Sequence, residues 1–406
     1  MVKIAVIFPS DPLGEKIGGA HTYIKDIIKF APEDFEIEFI GITSNNIARP
    51  QRKRTRMKLG PKEFDFYPLY FEKGENKKSF IPSSLRFSLA LKLAHLEFRN
   101  KILFLNRIEP ALFLINIKTP KVGVVHNDIR EQMSHKGSEV LWSLFPWLYF
   151  KIEGIIFESL DHVYSESCSA IKFYHQKFPD QNEKFSFLPT WADRDIYSPS
   201  QESKTKLRQS AYFLEKHLLP DKKWILFAGR LQEQKAPLRL VDAFFEYHKI
   251  NQESCLIIVG DGNLRAGVER HIKELSLQKD VFLIGQAGKI ELVNFYRASD
   301  CSLLTSNFEG MPLAVLEALG CGLPVVSTRV GEVERVIRNG YSGEVRDTFD
   351  PKDLAQGLER VLNNPEIYKK DNCINAVKEY TPENVLKPVY EMMRKLYRKN
   401  FSSEKK

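Results

Sequence analysis

Apolar residues fall along this chain in short uninterrupted runs, each closed by glycine or a polar residue. Stretches with helical spacing separate them. VKIAVIF (2–8), FEIEFIGI (35–42), EFDFYPLYF (63–71), KVGVVH (121–126), HVYSES (162–167) and FSFLP (185–189) read as strands, and most are too apolar to have a solvated face. Between them the spacing predicts helices from about His21 to Phe30, Leu85 to Phe98 and Val140 to Phe157, and over CSAIKFYHQKF from Cys168. A charged stretch (198–223) reads as a linker region, and then the alternation restarts. WILFAGR (224–230), CLIIVGDG (255–262), VFLIG (281–285), DCSLLTS (300–306), LPVVST (323–328) and SGEVRD (342–347) are the second set of strands. Doubly buried strands alternating with helices imply parallel sheets covered on both faces. The expected organisation is α/β, two Rossmann-like domains in tandem over residues 1–200 and 201–380. Residues 381–406 would form a helix packing back toward the N-terminal domain, then a polar tail. Such sheets bind ligands at the carboxyl ends of their strands, so the expected site is a cleft between facing domains.

One helix breaks the polar–apolar logic. In MPLAVLEALG, Pro312 suits a first helical position, and Leu313, Ala314, Val315, Leu316, Ala318 and Leu319 cover every face, as in a buried helix. Glu317 sits inside it, and a buried carboxylate needs a partner. A second acid, Glu309, stands just before the helix, with seven residues between the two. The expected partner is a molecule from outside the chain.

Composition narrows the classes. At 406 residues the chain exceeds one core and suits two domains of roughly 150–200 residues each. Five cysteines are scattered without CxxC or Cys/His pairing, which argues against zinc and disulfides and suits a reducing cytosol. No signal peptide or membrane-length apolar stretch stands out, so a cytoplasmic place, at most at the inner face of the membrane, is expected. The net charge is +8, and RPQRKRTRMKLGPK (49–62) holds seven Lys/Arg and no acid. A solvated basic loop and a contact with anionic lipid or an anionic acceptor both fit this stretch. Nucleic acid fits poorly, because no RNP-type, zinc-finger or helix-turn-helix pattern accompanies the charge.

The strand ends of the second half carry the candidate chemistry. Arg230 and Lys235 follow FAGR and offer two cations to a diphosphate. Gly260 and Gly262 end IIVGDG without the third glycine of a dinucleotide fingerprint. The helix near Pro312 presents free amides and a positive dipole end, Gly310 allows close approach, and Glu317 can accept two hydrogen bonds from a ribose diol. In the first half, Gly18-Gly19 opens a helix, as in a phosphate-approach turn or a plain tight turn. His126 ends KVGVVH at the cleft edge, followed by Asn127 and Asp128. Any one of these has an ordinary structural reading; their combination is less often accidental.

Together these segments resemble the retaining glycosyltransferases of family 4, with the GT-B architecture of two Rossmann-like domains facing each other across a deep cleft. FEGMPLAVLEALGCGLPVVST fits the family's E-x7-E signature and FAGRLQEQKAP its GRL…K segment. IIVGDG, VFLIGQ and GEVERVIRNGYSGEV match the blocks around them, and IGGAHTYI and VVHND match the glycine loop and histidine of the N-terminal half. Two positions depart from the pattern: Thr190-Trp191 replaces an asparagine-glycine, and Ala236 stands where glycine is common. The resemblance implies that Arg230 and Lys235 bind the donor diphosphate and Glu317 the ribose. Glu309 would contact the transferred sugar, and the backbone of Gly310, Met311, Pro312 and Leu313 its hydroxyls and phosphates. His126 would touch the donor sugar, Gly18-Gly19 the phosphates or acceptor, and Ile284, Gly285 and Gln286 the base.

The expected activity is hexose transfer, with retention, from a nucleotide diphosphate sugar to a hydroxyl acceptor, free or lipid-linked, in polysaccharide or glycolipid assembly. The nucleotide sugar is substrate and no cofactor is expected. No metal is expected either, since no DxD stands where a divalent ion would be held and Arg230 and Lys235 can neutralise the leaving group. A uridine diphosphate donor follows from the family, with guanosine diphosphate mannose close behind. The rivals are a GT-B nucleotide-sugar epimerase and a non-catalytic nucleotide-sugar-binding protein. A dehydrogenase lacks its fingerprint glycines.

Overall fold

The computed structural model describes residues 1–14, 19–72, 83–126, 130 and 146–401. Gly18, Asn127, Asp128 and the start of the helix expected from Val140 lie outside the described residues. The chain divides into two compact units, Met1–Pro189 with Pro382–Lys406, and Thr190–Thr381.

In the first unit eight strands form one sheet: β1 (Val2–Ile7), β2 (Phe35–Thr43), β3 (Thr55–Leu59), β4 (Lys62–Phe71), β5 (Ile102–Leu105), β6 (Lys121–Val125), β7 (His162–Ser165) and β8 (Phe185–Phe187). Their order is β3-β4-β2-β1-β5-β6-β7-β8. Ile4 of β1 sits in parallel register with Ile37 on one side and Ile102 on the other, so the chain reverses its winding direction between β1 and β5. Two strands were not expected. β5, ILFL, is buried along its whole length and too short to show a period of its own. β3 lies inside the basic stretch read as a loop and pairs antiparallel with β4. Its residues alternate between half-buried and exposed, with Arg56 and Lys58 outward, which suits an edge strand kept from pairing further. The helix expected over Leu85–Phe98 spans Ser83–Leu93, with His95 in a left-handed conformation just after it.

The second unit holds β9 (Lys223–Ala228), β10 (Ser254–Val259), β11 (Val281–Gly285), β12 (Cys301–Leu304), β13 (Val325–Thr328) and β14 (Gly343–Arg346), all parallel. The order β11-β10-β9-β12-β13-β14 is that of a doubly wound nucleotide-binding sheet, with its switch point between β9 and β12. Trp224 and Leu226 face one core while Ile225 and Phe227 face the other, the alternation a doubly covered strand imposes.

The charged stretch 198–223 is not a free linker. It lies within the second unit and forms short helices, Lys204–Arg208 and Ala211–Leu214. Arg208 is buried there, with Nη2 2.6 Å from Asp300 Oδ2, Nε donating to the Ala298 carbonyl, and its guanidinium over the Trp224 ring. The first boundary between units falls after Pro189 rather than at residue 200. The last helix, Pro382–Phe401, belongs to the first unit, where Tyr390 donates to the Ile27 carbonyl and Arg394 pairs with Asp34.

Candidate functional site

Two loops leave the carboxyl ends of β9 and β12, on either side of the switch point in the second unit. The first runs through Gly229 and Arg230 to a single 3-10 turn, Glu233–Lys235, then to the helix Pro237–His248. The second runs from Thr305 to Gly310 and into the helix Leu313–Gly320. The loops are stitched together: Asn307 N donates to the Gln234 carbonyl at 2.8 Å, and Asn307 Nδ2 to that of Glu233 at 2.8 Å. Thr305 Oγ1 donates to the Lys235 carbonyl at 3.0 Å.

At this seam Lys235 Nζ lies 2.5 Å from Glu309 Oε1, both largely buried. Ser306 Oγ donates to the same oxygen at 2.6 Å. Oε2 receives only a long contact, 3.3 Å, from Gln234 Nε2 among the described residues. One carboxylate oxygen is therefore saturated and the other retains capacity to accept. Arg230 is exposed and no side chain among the described residues pairs with it. The sequence offered two equivalent cations; the structure makes them unequal, one spent on an internal acid and one free.

The glutamate of the apolar helix has partners inside the chain. Tyr296 donates to Glu317 Oε2 at 2.9 Å, and Tyr197 also donates to the carboxylate. Burial pushes the Glu317 carboxyl above its usual value, and the tyrosine hydrogen bonds, with Lys289 and Lys235 nearby, offset this only in part. The charge of Lys235 thus reaches both glutamates of the signature. Pro312 is the cap residue, one place before the helix proper, and has no side chain to accept from the first amides. Val315 N donates to the Pro312 carbonyl at 3.1 Å, and the amides of Leu313 and Ala314 are left for another acceptor.

Several glycines have packing reasons. A Cβ on Gly260 (φ +139°) would lie 1.9 Å from the Gly229 carbonyl oxygen, and one on Gly262 would lie 2.3 Å from that of Leu231. Both let the turn after β10 cross the turn after β9. Gly260 N also donates to the Gly285 carbonyl, which joins Ile284–Gln286 to the same edge. Gly331 was not anticipated: at φ +51° a Cβ there would lie 2.0 Å from the Gly310 oxygen, so only glycine lets that turn press on the loop carrying Glu309. Met311 is buried, and its carbonyl accepts from Thr190 Oγ1 at 2.9 Å, a use for the unusual threonine.

In the first unit, Gly19 opens the helix Gly19–Lys29 and is exposed. His126 follows β6, with Nδ1 2.7 Å from Glu166 Oε1 and Nε2 2.9 Å from the Asn106 carbonyl. An acceptor at each nitrogen favours the doubly protonated ring. Burial alone would lower its pKa, but the Glu166 carboxylate reverses that and the net shift is upward. Glu166 and Asn106 follow β7 and β5, so the strand-end rule that singled out His126 reaches them too. In the basic stretch, Arg49 Nη2 is 2.8 Å from the fully buried Asp11, Arg54 pairs with Glu38, and Arg56 pairs with Asp65 and Glu63. Much of that charge is neutralised locally.

Comparison with known proteins agrees with this layout. Residues 211–380 match the family described as glycosyl transferases group 1. Over 221 residues the chain is 30% identical to a D-inositol 3-phosphate glycosyltransferase of Corynebacterium jeikeium, covering 52% of this chain and 50% of that protein. Over 198 residues it is 28% identical to the UDP-Gal:alpha-D-GlcNAc-diphosphoundecaprenol alpha-1,3-galactosyltransferase of Escherichia coli, covering 48% and 49%. The chain spans about half the length of the curated relatives it matches. Among solved structures, sucrose-phosphate synthase from Thermosynechococcus elongatus superposes with a TM-score of 0.79 at 18% identity, covering 98% of this chain and 100% of that one, a likeness of fold.

Proposed function

We propose that this chain, which has the two-domain α/β GT-B fold and matches the glycosyl transferases group 1 over residues 211–380, transfers a hexose from a nucleotide diphosphate sugar to a hydroxyl acceptor, with retention. The observation that carries this reading is the seam at the switch point, where Lys235, Glu309 and the unpaired Arg230 meet the half-buried start of the helix Leu313–Gly320. A diphosphate seated there is met by two cations and by helix amides. The charge that develops as the sugar–oxygen bond breaks falls where the positive groups already stand. Glu317 accepts from the ribose diol. Glu309, through its less occupied Oε2, accepts from a hydroxyl of the transferred sugar. The bond from the anomeric carbon to the diphosphate breaks and one to the acceptor oxygen forms on the same face. The acceptor proton passes to the departing phosphate oxygen. The diphosphate needs no metal ion in this scheme.

His126, with both nitrogens engaged, serves as a fixed positive charge at the strand ends of the first unit. A uridine diphosphate sugar is the proposed donor, in line with the galactosyltransferase relative, whose name also points to a lipid-linked acceptor. The test is a donor screen with soluble and polyprenyl-linked acceptors, reading released nucleoside diphosphate with and without EDTA. Transfer requires acceptor-dependent release that survives the chelator. Conversion of the donor to an isomer with no free nucleotide would replace the proposal with an epimerase. Loss of release in EDTA and recovery with magnesium would remove its metal-free part.

A further inference from the structure

Exposed apolar side chains gather on one layer of the first unit. In the helix Ser83–Leu93, Leu85, Leu89 and Leu93 are 50, 50 and 63% exposed, while Phe87 and Leu91 enter the core. A spacing of four places the three leucines along one face. The helix Pro146–Ser159 adds Trp147, 68% exposed, and Ile155 two turns on. Both helices pack against the same short turn, Glu109–Phe113, and Ile156 and Phe157 share a core cluster with Phe87 and Leu91. They therefore lie on the same side of the sheet, with exposed Ile115 just past the turn.

Exposed cations are interleaved with this surface. Lys92 adjoins Leu93, Lys118 follows Ile115, and Lys151 lies one turn from both Trp147 and Ile155. Acids beside this surface are few: Glu97 and Glu158 follow its exposed residues in sequence, and Glu109 of the turn is paired with Arg107. Leucines, an exposed tryptophan and lysines with long apolar stems are the side chains that settle at a bilayer interface, the stems reaching inward and the ammonium groups meeting phosphates. The basic stretch 49–62 is the weaker candidate, because three of its four arginines, Arg49, Arg54 and Arg56, are paired with Asp11, Glu38, Glu63 and Asp65.

We propose that this helical face of the first unit docks on an anionic lipid bilayer, with the Leu85–Leu89–Leu93 stripe and Trp147 entering the headgroup region and Lys92, Lys118 and Lys151 facing lipid phosphates. The inference does not rest on the transferase reading, since docking is measured without donor or acceptor. The full chain is sedimented with vesicles of phosphatidylcholine and phosphatidylglycerol and with phosphatidylcholine alone, at low and high salt. Binding is expected to the mixed vesicles and to fall with salt. A triple variant, Leu85→Gln, Leu89→Gln and Leu93→Gln, should weaken it by about tenfold or more, because apolar burial supplies much of the affinity. Neutralising Lys92, Lys118 and Lys151 to Gln should weaken it and flatten the salt dependence. Changing Arg52, Lys53 and Lys58 to Gln should leave it unaltered. Unchanged melting temperatures keep these comparisons free of folding defects. The proposal is overturned if wild type pellets with neither vesicle or if the leucine variant pellets like wild type. It is also overturned if wild type is a lipid-free dimer that the leucine variant dissolves, which would assign the face to a second copy.

Discussion

Glu317 holds a carboxylate where burial opposes its charge, and two tyrosine hydroxyls restore only part of the lost hydration. A carboxyl whose pKa is higher folded than unfolded contributes stability below the unfolded value of 4.5 and loses it as pH rises through the folded value. Glu317→Gln should therefore melt no lower than wild type at neutral pH, with any gain shrinking in acid. It should also weaken nucleoside diphosphate binding by about 1–3 kcal/mol if the ribose role holds. Equal affinity of the two proteins in calorimetry would end that role. The shift at His126 is also upward, but there it favours the charged form. Its raised pKa gives stability that is full below 6.5 and lost as pH climbs through the folded value. Glu166→Gln should flatten that alkaline decline in a series of melting curves, and an unaltered series would mean the pair is not coupled. The two donor-side cations also separate at this scale. Arg230→Ala should lower kcat with little change in denaturation midpoint, since it has no internal partner. Lys235→Ala should lower both, because it strands the buried Glu309, a loss of up to about 3 kcal/mol. Equal midpoints for the two variants would contradict the pairing seen here.

At the scale of elements, the turn between β9 and the helix Pro237–His248 depends on Ala236, held at φ +45°. A left-handed alanine is strained by about 1 kcal/mol, and Pro237 after it fixes the helix entry. Ala236→Gly should then raise stability by up to about 1 kcal/mol, the relief being partly cancelled by the looser unfolded chain. A clear drop in the urea midpoint would show that the strain is absent. Gly331→Ala acts in the other direction. Its Cβ would displace the Gly310 carbonyl and with it Glu309, and misplacing a reacting group by about 1 Å can reduce turnover roughly a hundredfold. Turnover within twofold of wild type, in a protein of unchanged fold, would show that the loop's position is not critical. These two residues also mark where sequence reading reached its limit. Ala236 was visible only as a departure from a pattern. Gly331 was visible only as the first residue of a matching block, because its constraint comes from a backbone segment some twenty residues earlier in the chain. β5 was missed for a related reason: four buried residues fit helix and strand equally well until neighbouring strands claim their hydrogen bonds.

On the scale of the whole molecule, the chain leaves the first unit at Pro189, builds the second, and returns at Pro382. The returning helix is amphipathic, burying Val385, Leu386, Val389, Tyr390, Met393 and Leu396, and Tyr390 also closes a hydrogen bond to Ile27. Ending the chain at Thr381 should therefore destabilise the first unit while sparing the second. Two separated melting transitions, only the lower one shifted, would be the signature. Tyr390→Phe should lower the first unit's stability by about 1 kcal/mol, the net value of one internal hydrogen bond. A truncated protein that melts like the full chain would show that the helix adds nothing.

The local sequence determined all the strands but β3 and β5, that those strands lie parallel and doubly covered, and that polar residues gather at the carboxyl ends of β9, β12 and β6. These follow from side-chain period and from where apolar runs stop, both of which act over a few residues. Tertiary structure decided which of those polar groups meet. Pairing Lys235 with Glu309, leaving Arg230 free, closing tyrosines around Glu317 and engaging both nitrogens of His126 require strands far apart in sequence to lie side by side. It also decided that three arginines of an apparently bare basic stretch are matched by acids on neighbouring strands and loops. Charge is written in the sequence residue by residue, but its effective value depends on the partner a few ångströms away, and the fold alone chooses that partner.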